Sequence, residues 1–175
     1  NRIAEYNFPL AENGRGEVAP APDLVSGYAP NDQRFAATYA YSGTAPYVIK
    51  YDDLSTGADN FIVIRYAEMY LIRAEANIHL EGNILTIKDD INQVRNRAGL
   101  GDVTASTYTD LLLAIENERR LEFAFEGHRW FDLVRTGRAV DVLPTVTSIN
   151  QTLFPIPLSE LLTNTNPEMY QNPGY

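Results

Sequence analysis

The sequence predicts a mainly α fold, and three observations predict it. Helix-forming segments closed by glycines fill residues 61–143. Proline and glycine breakers crowd residues 1–60. The strings Ala76–Gly82 and Leu121–Gly127 both end a helical run on Glu-Gly, 45 residues apart. Matched ends at such an interval point to helix–turn–helix units arranged as a repeat.

The elements follow in order. In residues 1–60, Pro9, Pro20, Pro22, Pro30 and Pro46 stand among Gly14, Gly16, Gly27, Gly43 and Gly57, which excludes long helices. Ala40-Tyr41-Ser42 and Tyr47–Tyr51 carry the aromatic and β-branched character of small strands. A helix is expected from about Arg65 to Glu81, stopped by Gly82-Asn83. A second runs from near Thr86 to Ala98, with Ile87, Ile91, Val94 and Ala98 as its buried stripe and Gly99 as its end. Thr107 with Asp110 makes a capping arrangement for a third helix reaching Glu126 before Gly127. Trp130–Arg135 forms a shorter fourth, limited by Gly137 and finished by Pro144. Beyond it, Phe154-Pro155-Ile156-Pro157 is forced into an extended strap, with one brief helix after Ser159.

Composition removes whole classes of function. With 14 Lys and Arg against 23 Asp and Glu, the net charge of −9 opposes a nucleic-acid partner, which needs clustered basic residues. No cysteine is present and the histidines are His79 and His128 alone. Disulfides, thiolate zinc sites, cysteine nucleophiles and multi-histidine metal centres are therefore unavailable, and no cofactor is expected. Phe61–Leu80 is broken by Arg65, Glu68, Arg73 and Glu75 and does not read as a membrane span. The start lacks a signal-peptide pattern and is not Met, so position 1 is expected to lie inside a longer gene product.

Charge inside the helices is the most informative feature. Glu118, Glu122 and Glu126 repeat at four-residue spacing and would repel unless cations such as Arg119, Arg120 and Arg129 sit among them. The expected arrangement is an Arg–carboxylate network between packed helices. A glycoside hydrolase built on Glu118, Glu122, Glu126 or Asp132 is the catalytic alternative, but it needs carboxyls across a cleft, and four-residue spacing sets the three glutamates side by side on one helix. His79 reads as a surface residue and His128 as a helix-junction residue. Gly14-Arg15-Gly16 is only a fragment of a dinucleotide fingerprint, and Asp52, Asp53, Asp59 and Asn60 do not follow the order of a calcium loop.

Several strings resemble one family closely. Arg65-Tyr66-Ala67-Glu68-Met69-Tyr70-Leu71-Ile72-Arg73-Ala74-Glu75-Ala76 and Ile91-Asn92-Gln93-Val94-Arg95-Asn96-Arg97-Ala98-Gly99-Leu100 look like hallmark segments of the SusD/RagB family. So do the run Glu118–Leu133, the Phe154–Pro157 strap and the ending Asn166-Pro167 through Gln171–Tyr175. Asp23-Leu24-Val25, Asp32-x-Arg34 and Tyr47-x-x-Lys50-Tyr51 resemble the family's looser upstream pattern.

The resemblance implies a mainly α-helical fold with tetratricopeptide-like helix pairs, plus loop-rich segments with short strands. It implies a surface-exposed outer-membrane lipoprotein of Bacteroidetes type that binds a glycan or other nutrient. The ligand then passes, without catalysis, to a SusC-like TonB-dependent transporter. On that reading residues 1–175 form a C-terminal SusD/RagB-type domain: 1–60 faces the ligand, 61–143 is helical scaffold and 144–175 a C-terminal strap. The N-terminal portion, with the lipid anchor that is the only membrane contact, lies outside this sequence.

The family strings are scaffold signatures, so the ligand candidates come from the residues themselves. Six of the eleven tyrosines fall in residues 1–60. A ring offers a sugar its flat apolar face, and Asn or Arg can satisfy hydroxyls. Tyr28, Asn31, Arg34, Tyr39, Tyr41 and Tyr47 have this chemistry, while the competing role for each tyrosine is to pack the loops onto the helices. A helical-repeat adaptor that binds protein alone is the third class open to the residues.

Overall fold

The structure, a computed structural model, describes residues 2–175. The chain divides into two compact units, one ending at His128 and the other spanning Arg129–Tyr175.

The first unit is built on three helices, preceded by loops with short elements: α1 (Ile3–Asn7), α2 (Pro22–Val25), α3 (Arg34–Thr38), β1 (Tyr39–Ser42) and β2 (Ala45–Val48). The main helices are α4 (Tyr66–His79), α5 (Ile84–Arg97) and α6 (Tyr108–Glu122). Their apolar positions meet in one core: Leu71, Ala74 and Ile78 from α4; Ile87, Ile91 and Val94 from α5; Leu111 and Ile115 from α6. The expected α5 stripe is buried through Ala98. Tyr108 Oη donates to Gly82 O at 2.8 Å, fastening α6 to the α4–α5 turn. The expectation of a mainly helical chain with short strands holds.

Three boundaries differ from the sequence expectation, each for a local reason. Between α4 and α5 the left-handed residue is Glu81, at φ 53, and Asn83 opens α5 as its N-cap, accepting from Leu85 N at 2.8 Å. The helix therefore begins at Ile84, ahead of Thr86. Thr107 caps α6 as expected, accepting from Asp110 N. However, α6 ends at Glu122, because Phe125 turns left-handed at φ 65 and the freed carbonyl oxygens find side-chain donors. Lys50 Nζ donates to Glu122 O at 3.2 Å and Ala124 O at 2.9 Å, and Arg65 Nη2 to Glu122 O at 2.5 Å.

In the loop-rich stretch the antiparallel hairpin pairs Tyr39 with Val48 and Tyr41 with Pro46. Gly43 takes the φ 61 that a two-residue turn demands. Lys50 and Tyr51 lie past the end of the hairpin, outside the strand. Gly14 is also structural: a Cβ there would stand 2.1 Å from Phe8 O, and neither strand nor long helix flanks it.

The second unit contains α7 (Arg129–Arg135), α8 (Ala139–Val142) and α9 (Leu158–Thr163). Leu133, Ala139 and Val146 form its small core with Trp130, Val134, Val142 and Leu143 packed on them. The extended residues 153–156 are clasped by the chain end. Gln171 exchanges bonds with Ile156 N and O at 2.7 and 2.9 Å, and Asn172 Nδ2 donates to Phe154 O at 2.6 Å. Tyr175 Oη donates to Leu153 O at 2.9 Å.

Candidate functional site

Glu118 and Glu122 of α6 and Glu126 in the turn that follows it are buried, and cations from four other segments reach them. Arg34, on α3, clasps Asp32 with Nε and Nη2 at 2.9 and 2.7 Å. Its Nη1 spans Glu118 Oε1 and Glu122 Oε2, at 2.6 and 3.1 Å. Lys50 Nζ donates to Glu126 Oε1 at 2.6 Å. Arg65, at the N-cap of α4, holds Glu126 through Nε at 2.8 Å and Nη2 at 3.0 Å, and Glu122 through Nη1. From the end of α5, Arg95 reaches Glu118 at 3.2 Å and Arg97 reaches Glu122.

The expected network thus exists, but with different cations. Arg119 instead faces Glu68 at 3.4 Å, beside His128 Nδ1 at the same distance from that carboxylate, and Arg120 pairs with Asp23. Helix rotation explains the correction: Arg119 and Arg120 directly follow Glu118, so they leave α6 on other faces. His79 is exposed, and the His128 ring lies 4.9 Å from that of Phe123, matching their expected surface and junction roles.

Electrostatics sets the protonation of this cluster. Burial pushes the Glu122 carboxyl up, but the bonds and charge of Arg65 and Arg97 outweigh it and hold the pKa below the ordinary glutamate value. Burial pushes Lys50 down, with Glu126 opposing. A general acid in glycoside hydrolysis needs its carboxyl pushed up, so Glu122 has the wrong environment for that role. Glu118 is paired to Arg34, and Glu126, in the turn after α6, to Lys50 and Arg65.

A cavity of about 370 Å³ opens over this network, with Gln33, Arg34, Lys50, Arg65, Arg97 and Glu122 among its walls. Among the described residues no group of three or more His, Cys, Asp or Glu is arranged to hold a metal. No helix among them is long and apolar enough to cross a membrane.

The six candidate ligand residues separate into two sets. Tyr28, Tyr39 and Arg34 are tied into packing. Tyr28 Oη donates to Leu121 O at 2.7 Å, and the Tyr28 and Tyr39 rings meet edge-on at 5.6 Å, with Phe35 and Phe125 against them. Burial raises the pKa of both phenols. Tyr41, 53% exposed, continues the same hairpin face, its ring 6.3 Å from Phe35. Asn31 is exposed and donates to Gly99 O at 2.9 Å. Tyr47 lies on the opposite hairpin face, half-buried against Phe8 at 5.0 Å. Of the six, Arg34 alone lines the cavity. Sequence reasoning missed Lys50 and Arg97 as its wall residues; Lys50 gave a faint signal as a lone cation beside an aromatic strand.

Fold and site together define a helical scaffold presenting an aromatic surface and a charged cavity. Residues 47–143 match the model of the SusD family, and the chain belongs to that family. It is 31% identical to SusD-like protein P2 of Formosa agariphila over 94% of its own length and 35% of that protein's. Among solved structures, surface glycan-binding protein A from Bacteroides thetaiotaomicron superposes with a TM-score of 0.75 at 27% identity, covering 99% of this chain and 45% of that one. A laminarin-binding SusD-like protein superposes with a TM-score of 0.70 at 32% identity, covering 90% and 38%. The chain spans 25–35% of the length of three curated relatives it matches.

Proposed function

We propose that the chain is part of a surface glycan-binding protein of the outer membrane, lipid-anchored as a whole protein. It captures an oligosaccharide and passes it, without altering it, to a SusC-like TonB-dependent transporter. The carrying observation is its likeness, over nine-tenths of the chain or more, to two solved proteins described as binding glycan or laminarin. The paired, low-pKa state of Glu122 supports a non-catalytic role. In this reading residues 1–60 face the ligand, 61–143 carry them and 144–175 strap the end. Tyr41 offers its ring to a sugar's C–H face, Asn31 supplies a polar edge, Tyr47 braces the hairpin from its other face against Phe8, and Tyr28, Tyr39 and Arg34 hold the platform rigid.

Electrophoresis through gels containing laminarin and other polysaccharides tests it. Retardation without sugar release is expected. Tyr41→Ala should weaken retardation roughly two- to tenfold, the worth of one aromatic contact. Release of reducing sugar would identify a hydrolase instead.

A further inference from the structure

The ion network ends on a charge without a carboxylate of its own. Four carboxylates, Asp32, Glu118, Glu122 and Glu126, have side chains no more than 2% exposed. Five cations meet them. Arg34 clasps Asp32, Arg95 reaches Glu118, Lys50 reaches Glu126 and Arg65 reaches Glu122, which leaves Arg97. Arg97 joins through Nη2 alone, on a Glu122 oxygen that Arg65 already holds. Its side chain is 58% exposed, against 10% for Arg34 and 15% for Lys50. One N–H of Nη2 is spent there, so one two-donor edge of the planar guanidinium stays open, the geometry that receives a carboxylate or sulfate.

Arg97 stands in the cavity wall with Arg34, Lys50 and Arg65, and five cations against four carboxylates leave the network one positive charge in excess. This positive excess sits in a chain of net charge −9. No aromatic ring among the described residues lines the cavity, whose walls combine these charges with Ala37, Ile62 and Ala98, so it offers a ligand no stacking face.

We propose that this cavity is a subsite for the acidic group of a glycan, a uronate carboxylate or a sulfate ester, received on the open edge of Arg97. The inference rests on the reading of the chain as a glycan binder and adds the charge class of its ligand.

Titration calorimetry of the chain with two matched pairs tests it: a galacturonate oligosaccharide and its methyl ester, and a sulfated galactan oligosaccharide and its desulfated form. At least one acidic member should bind about tenfold tighter than its neutral partner, the worth of one charge-assisted bond. Added salt should narrow the gap. The pair that shows the gap identifies carboxylate or sulfate as the source. Arg97→Gln should abolish the preference with the circular dichroism spectrum intact. Arg97→Lys, which keeps a charge beside Glu122 but loses the fork, should retain part of it. Equal affinity within both pairs, or a preference that survives Arg97→Gln, overturns the subsite and leaves glycan binding standing. Failure of every probe, laminarin included, removes the glycan reading and the subsite together.

Discussion

Two regions of the first unit are held by different physics. The core of α4, α5 and α6 is apolar, with Leu71, Ile87, Ile91 and Leu111 excluded from solvent. The loop-rich stretch before it meets α6 and the turn after it through the Tyr28–Tyr39–Leu121 cluster and through buried charge, Arg34 to Glu118 and Glu122, Lys50 to Glu126. Apolar contact is graded, since losing a methyl costs roughly in proportion to the space it leaves. A buried charge cluster has a threshold, because one missing partner strands the others in a low-dielectric site.

Glu122→Gln should show that threshold most plainly. It leaves Arg34, Arg65 and Arg97 around an uncharged amide. We expect a loss of about 3–5 kcal/mol in urea unfolding, the usual effect of breaking a buried ion pair. A loss below about 1 kcal/mol would mean the arginines find water instead, and the distinction between the regions would collapse.

Ile91→Val probes the other region at a smaller scale. Removing one methylene from this fully buried side chain should cost about 0.5–1.5 kcal/mol with the unfolding transition otherwise unchanged. A cost matching that of Glu122→Gln would show that the helical core is as brittle as the charged layer.

The same contrast decides what was legible in the sequence. The α5 stripe is local: spacings of four and three place Ile87, Ile91, Val94 and Ala98 on one face, and all four are buried. The presence of a charge network was also legible, because Glu118, Glu122 and Glu126 on one line demand cations. Their identity was not. Arg34, Lys50 and Arg65 lie 84, 76 and 57 residues from their glutamate partners, and only the closed fold brings them there. Arg119 and Arg120 were near in sequence but on the wrong faces. The early end of α6 was hidden for the same reason, since Lys50 and Arg65 supply the donors for its last carbonyls. Among the candidate ligand residues, tyrosine content marked the right zone. Alternation along the hairpin, readable only once the register is known, keeps Tyr39 and Tyr41 on one face and turns Tyr47 to the other, and along that shared face Tyr39 is buried while Tyr41, nearer the turn, stays exposed.

Acid titration gives the finest separation of the two regions. The folded pKa of Glu122 lies below the ordinary value of 4.5, because Arg65 and Arg97 outweigh the cost of burial. Its stabilising contribution is therefore complete above about pH 4.5 and lost as pH falls through the folded value. Lys50 has the opposite sense. Burial lowers its pKa below 10.5 despite Glu126, so its ammonium is less favourable folded than unfolded, and raising pH through the folded value relieves that cost. The charged layer should thus weaken on the acid side, with no alkaline loss from Lys50. Urea midpoints taken from pH 7 down to pH 3 should fall more steeply in the wild-type chain than in Glu122→Gln, because the variant has already lost this group's titration. Ile91→Val should run parallel to the wild type, since removing an apolar methylene moves no proton. Parallel curves for all three would place the acid sensitivity outside the charged layer.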